Sequence, residues 1–282
     1  MRGYGRRCFS GALLAALLVM ATGATPAEAD ALRDAVEKTL SASYPFVATR
    51  AQAPIKLGTP EWEKSLDASV DGVMKLLPPD CTAESFPLTI CGLGMTHVGS
   101  DAMAPTLRAA EAVFFEAYSS RNLVQRGDMV IFNVPVAGKE LPIRHIFRAI
   151  GLGGDTVELV DGVVHINGKP VSLAATGEKF SWDAGSASLD IFRETTPEGR
   201  SYLIARDMSG PPYIETAENA GPFIVPPGHI FALGDNRHNS ADSRYPDQLG
   251  GSSFVSLDQL VGRIELIYLS ADASRTGLLV GE

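Results

Sequence analysis

The sequence predicts a mainly β protein of short antiparallel strands, preceded by a helical N-terminal appendage. Three observations carry that prediction. The 282 residues include 28 glycines and 18 prolines, a load that favours turns and short strands over long helices. From about Leu88 onward, brief apolar runs are punctuated by turn residues, most clearly at Asn167-Gly168, the pair that best tolerates positive φ in a hairpin. Between residues 30 and about 78, by contrast, apolar residues recur at helical spacing.

The chain opens as an export signal. Arg2, Arg6 and Arg7 form a basic start, an apolar run extends from Gly11 to Thr22, and Ala27-Glu28-Ala29 follows as an A-x-A cleavage pattern. The run of 12 apolar residues falls short of the roughly 20 that span a bilayer. Residues 1–29 are therefore expected to be a cleaved signal peptide, with an uncleaved N-terminal anchor as the alternative. Arg6-Arg7 matches a twin-arginine signal only faintly. No later stretch approaches transmembrane length. The expected location is outside the cytoplasm, in the periplasm or an equivalent extracytoplasmic space.

Cutting after Ala29 removes three arginines and one glutamate, so the net charge moves from −9 to −11. An acidic surface is a poor partner for nucleic acid and gives no polybasic grip on anionic lipid. At most a peripheral membrane contact remains. Of the three cysteines, Cys8 leaves with the signal. Cys81 and Cys91 are expected to form a disulfide in an oxidising compartment, contributing about 3 kcal/mol in the chain-entropy model. The alternative is two buried free thiols.

Residues 30–90 form the helical region. The stretch from Asp30 to Glu37 has helical periodicity. A second helix starts with Thr59 as N-cap and Pro60 in the first position. Leu66, Val70, Val73, Met74 and Leu77 mark its apolar face, and Pro78-Pro79 end it. Residues 91–270 form the β domain. Its strands are expected at Asp128–Phe132, after the Arg126-Gly127 turn, and from Ile143 to Ile150. Thr156–Val160, Val163–Ile166 and Lys169–Val171 make a meander with turns at Asp161-Gly162 and Asn167-Gly168. The stretch 172–222 is rich in Ser, Gly, Pro and charge and is expected to be an insertion, with regular structure returning at Phe223–Val225. Residues 271–282 are a tail. There are no internal repeats.

Four ordered stretches carry the chemistry: Ser100-Asp101-Ala102-Met103-Ala104-Pro105-Thr106-Leu107, Arg126-Gly127-Asp128-Met129-Val130-Ile131-Phe132, Phe147-Arg148-Ala149-Ile150-Gly151-Leu152-Gly153-Gly154-Asp155, and Gly234-Asp235-Asn236-Arg237-His238-Asn239-Ser240-Ala241-Asp242-Ser243-Arg244. In this order they resemble the four boxes of the type I signal peptidases, membrane-associated Ser/Lys proteases that remove export signals. Glu194–Gly199, Val225–His229 and Leu260–Arg263 resemble further family stretches, so the likeness covers roughly residues 96–270. It implies a signal peptidase-like β fold.

The resemblance also marks two departures. Ala102 stands where the family has its nucleophilic serine, and Phe147 where it has the lysine base. The family buries that lysine to depress its pKa; a phenylalanine suits such a site and cannot titrate. Gly153 replaces a proline. Ser100 matches a serine whose hydroxyl supports the developing oxyanion. Ser240 and Asp242 match residues that orient the lysine and brace the site, and Arg244 matches the partner of that aspartate. Val98, Met103, Leu107 and Ile146 match positions lining a shallow pocket for small residues, or are simply core residues. No cofactor is implied, and His97, His165, His229 and His238 lack metal-ligand spacing. An adhesion reading of Arg126-Gly127-Asp128 rests on the tripeptide alone.

The resemblance therefore implies a family member that is catalytically inactive and binds extended peptides, or exported proteins with small residues at the binding position, by main-chain pairing along a sheet edge. Two alternatives stand beside it. One is an active endopeptidase with a shifted Ser100/His145 pair, where His145 is two residues, about 6.8 Å, along the strand from Phe147. The other is a scaffold whose N-terminal helices cover the groove.

Overall fold

A computed structural model describes residues 25–52, 56–118, 124–135, 138, 140–181, 188–207 and 218–280. The expected export signal lies outside the described residues up to position 24. The chain divides into two compact units.

The smaller unit comprises the chain up to Thr96 together with Ala112–Phe114 and Glu265–Leu279. Helix α1 (Pro26–Arg50) starts at a capping box, in which Thr25 Oγ1 accepts the Glu28 N–H and Glu28 Oε2 accepts the Thr25 N–H. Ala27-Glu28-Ala29 is thus the first turn of α1, with Ala29 only 3% exposed, and the expected cut after Ala29 falls one turn inside the helix. Helix α2 (Pro60–Leu76) begins as predicted, with the Thr59 hydroxyl accepting the Trp62 N–H at 3.3 Å. Leu32, Val36, Leu40, Tyr44 and Val47 of α1 pack with Leu66, Val70, Val73 and Met74 of α2.

This helical pair does not make its core alone. Phe114, Leu266, Tyr268 and Leu269, all far downstream, share the same cluster. Tyr268 is tied in by polar contacts: its hydroxyl donates to Leu40 O at 2.9 Å, and its carbonyl accepts Ser69 Oγ at 2.7 Å. Burial pushes the Tyr268 phenol up to about 12. Segments of the expected β domain therefore complete the N-terminal core, which amphipathic spacing within residues 30–90 could not reveal. The Cys81–Cys91 disulfide is present as expected.

The larger unit comprises His97–Glu111 and Phe115–Ile264. Strands are numbered in chain order, β1 (Leu93–His97) and β2 (Ala112–Ala117) being the first two. One seven-stranded sheet of the chain has the order β1, β2, β14 (Leu260–Leu269), β3 (Met129–Val134), β4 (Ile143–Leu152), β12 (His229–Leu233), β13 (Val255–Ser256), of which β3, β4, β12, β13 and the first half of β14 belong to the larger unit. β3 and β4 pair antiparallel, with Val130 opposite Phe147 and Phe132 opposite His145. The predicted meander forms as β5 (Thr156–Val160), β6 (Val163–Ile166) and β7 (Lys169–Pro170). Asn167 and Gly168 both adopt positive φ at its second turn.

The stretch 172–222 departs from expectation. It holds β8 (Ser172–Phe180), β9 (Leu189–Thr195) and β10 (Ser201–Arg206), a three-stranded sheet, and the start of β11 (Ala220–Ile224), which pairs with β5. β8 is an edge strand with mostly exposed side chains and a register shift between Ala175 and Lys179. An edge that meets water on most positions needs few apolar residues, so its composition reads as loop. No described helix is long and apolar enough to cross a membrane.

The disulfide yields a first prediction. A C81S/C91S variant should lose about 3 kcal/mol of unfolding free energy, read by chemical denaturation. An unchanged midpoint would show that the bond does not restrict the unfolded chain.

Candidate active site

The four boxes meet in the larger unit. Ser100 caps a short 3-10 turn, Asp101–Met103, and its Oγ accepts the Ala102 N–H at 3.4 Å. Ala102 is half-buried, while Met103 and Leu107 behind it are 1% and 0% exposed. The fourth box holds this turn directly. The Asn236 N–H donates to Ala102 O at 3.0 Å, and Asn236 Nδ2 donates to Asp101 O at 3.1 Å. Gly234 makes the approach possible. A Cβ there would lie 2.5 Å from Ala102 O and 2.4 Å from Ser240 Cβ, so no other residue fits without moving one of them.

Phe147 is 3% exposed and packs against Phe132 and His145 at centroid distances of 5.9 and 5.7 Å. His145 is half-buried and stacks on Phe132 at 5.6 Å. Burial holds its imidazole below the ordinary histidine value, so it is neutral at neutral pH. The apolar aromatic packing here has no place for an ammonium.

Arg148, next along β4, points to the opposite face and joins the third box to the second and fourth. It grips Asp235 with Nε–Oδ1 at 2.7 Å and Nη2–Oδ2 at 2.5 Å, and donates from Nη1 to Gly127 O at 2.7 Å. Thr106 Oγ1 donates to Asp235 Oδ2 at 2.6 Å. The Arg148 guanidinium also lies 4.0 Å from the Tyr202 ring centroid, the Tyr202 hydroxyl donates to Glu194 at 2.6 Å, and Glu194 takes two hydrogen bonds from Arg237 at 2.6 and 2.9 Å. Burial alone would lower the Arg148 pKa, but Asp235 raises it; burial would raise that of Glu194, but Arg237 lowers it. Arg148 and Glu194 therefore keep their charges.

Asp242 is fully buried and fully used. It accepts the Gly234 N–H at 3.0 Å, Ser240 Oγ at 2.5 Å, and Arg244 Nε and Nη2 at 2.8 Å each. Arg244 Nη2 also donates to Arg237 O at 2.8 Å. The pairing of Arg244 with the aspartate is as the resemblance implied. Val98, Met103 and Leu107 are buried and Ile146 is half-buried. A separate cleft of about 520 Å³ is lined by Arg126, Asn167, Lys169, Thr195 and Glu198 among others, and contains none of the expected site residues.

The adhesion reading fails. Asp128 is buried, accepts the Gln125 N–H at 2.9 Å and pairs with Arg200. Arg126 is committed to Ile150 O, Asp155 and Glu198. Sequence reasoning did not single out Asn236, Tyr202 or the Arg148–Asp235 pair. The available signal was a charged residue inside an otherwise apolar strand run at Arg148, which must find a buried counter-ion.

Boxes that converge on one buried ion network, with small residues at their contact, define a protein of signal peptidase architecture. A family model described as signal peptidase, peptidase S26 matches residues 86–269, and the chain belongs to that family. It is 37% identical over 148 residues to the signal peptidase I of Rickettsia typhi, and likewise to that of Rickettsia felis, in each case over 52% of this chain and 52% of the relative. The chain thus spans about half the length of the curated relatives it matches. A solved signal peptidase I from Enterococcus faecalis V583 is 26% identical, over 50% of this chain and 95% of that one, with a TM-score of 0.28.

The network predicts a steep, non-additive energetic response. D235A leaves a buried guanidinium without its partner and should cost about 3–5 kcal/mol. Adding R148M should recover part of that loss, because the orphaned charge is gone. Denaturation of both single variants and the double variant checks this; additive losses would mean that the two residues are not coupled.

Proposed function

We propose that this chain binds extended peptides or exported proteins carrying small residues, and does not cleave them. The observation that carries the reading is the contrast within the site. Ala102 and Phe147 occupy the dyad positions, while the Asp242–Ser240–Arg244 cluster and the Asn236 contacts to Asp101 and Ala102 are complete. A methyl group has no lone pair with which to attack a carbonyl, and loss of a nucleophile costs around 10⁶ in turnover. Main-chain pairing of an extended peptide requires no nucleophile. The matching functional setting is extracytoplasmic, where export signals are processed.

The alternative is proteolysis by a Ser100/His145 pair. In its favour, burial keeps His145 neutral, as a base must be. Against it, Ser100 caps its own turn, and His145 is stacked in the Phe132–Phe147 cluster.

The test is incubation of the full chain with a preprotein bearing an Ala-x-Ala site, read by mass spectrometry. The chain as it stands should leave the preprotein intact, and an A102S/F147K variant should cut after the second alanine. Cleavage by the unaltered chain that is abolished by S100A or H145A would overturn the proposal in favour of the shifted pair.

A further inference from the structure

His238 fastens two separate segments to the loop of the fourth box. Its Nδ1 accepts the Asp207 main-chain N–H at 3.0 Å, and its Nε2 lies 3.3 Å from Glu218 Oε1. Asp207 immediately follows β10, and Glu218 stands just before β11. The ring is largely enclosed, with 10% of its side chain exposed. A nitrogen that accepts an N–H carries no proton, so the proton sits on Nε2 and is donated to Glu218. The bound form is the neutral imidazole.

The charges facing the ring come from every element packed on it. Glu218 and Asp207 favour an imidazolium, whereas Arg206 at the end of β10 and Arg244 of the same loop oppose it. Arg206 also occupies Glu218, donating to Oε2 at 2.5 Å, and donates to Asp161 O at 3.1 Å. Burial is the largest influence, and the net effect keeps the imidazole below the ordinary histidine value.

The clasp sits at a mechanically useful place. The Ala205 N–H donates to Asp235 O at 2.9 Å, and the Arg237 N–H donates to Ala205 O at 3.0 Å. The intervening Asn236 holds the Ala102 carbonyl. His238 therefore closes the last link between β10 and the loop that supports the dyad positions.

We propose that His238 is a proton-operated clasp, which ties Asp207 and Glu218 to the fourth-box loop when neutral and releases the Asp207 N–H when protonated. Protonation puts a hydrogen on Nδ1, so two donors face each other and that hydrogen bond must break, while the contact to Glu218 is kept. The sign follows from the depressed folded value. The clasp contributes fully above the ordinary histidine pKa of about 6.5, and its contribution is lost as pH falls from there through the lower folded value.

Amide exchange of the full chain, resolved at Asp207 by NMR, tests this at about pH 7.5 and about pH 5, the range over which histidine changes charge. Rates are corrected for intrinsic exchange, and the Ala205 amide, whose acceptor cannot titrate, serves as reference. In the unaltered protein, Asp207 protection should fall severalfold at the lower pH while Ala205 stays protected. In H238N, whose side-chain oxygen accepts an N–H without titrating, Asp207 protection should not change; H238Q serves if H238N does not fold. Equal Asp207 protection at both pH values, an equal loss in the non-titrating variant, or parallel loss at Ala205 would each overturn the clasp.

Discussion

The buried Arg148–Asp235 pair is the interaction on which the larger unit depends. One guanidinium, bonded twice to one carboxylate and once to Gly127 O, draws the second, third and fourth boxes together. Thr106 adds the first box through the same carboxylate. Desolvating two such charges is costly, and their attraction offsets that cost only when geometry is good and the remaining polar atoms find partners. Both conditions hold here: Tyr202 covers the guanidinium face and leads to a second buried pair, Glu194–Arg237.

None of these bonds involves the side chain of Ala102 or Phe147, so the network does not depend on what stands at either position. A lysine in the Phe147 position would have to be buried without its charge, against the strong hydration of an ammonium. Phenylalanine removes that conflict, and burying such a side chain contributes about 1.5–3 kcal/mol, here against Phe132 and His145. At position 102 the smaller side chain changes little, because the turn is held by main-chain carbonyls that Asn236 grips. The buried network and the side chains of Ala102 and Phe147 are thus structurally separable at this site.

Local signals were legible in the sequence where one short segment decides the outcome. Thr59-Pro60 placed the start of α2, Asn167-Gly168 placed a hairpin, and the box pattern placed Arg244 beside Asp242. Partnerships between distant segments were not legible. Arg148 and Asp235 are separated by 87 positions, and nothing local in either sequence names the other. The strand β8 escaped because an exposed edge strand is polar, and the N-terminal core was incomplete without Tyr268, which completes it from the far end of the chain. A cleavage-like Ala-x-Ala pattern and the helix-forming first turn of α1 are written in the same residues, so the sequence did not show that the helix begins at Pro26.

The central claim is that the site retains recognition and has lost cleavage. Calorimetric titration of the full chain with an extended peptide carrying Ala-x-Ala, followed by mass analysis of the recovered peptide, addresses both halves at once. Saturable binding with the peptide recovered intact is the predicted result. Recovery of a peptide cut after the second alanine, or no binding where a matched peptide with bulky residues at those positions also fails to bind, would contradict it.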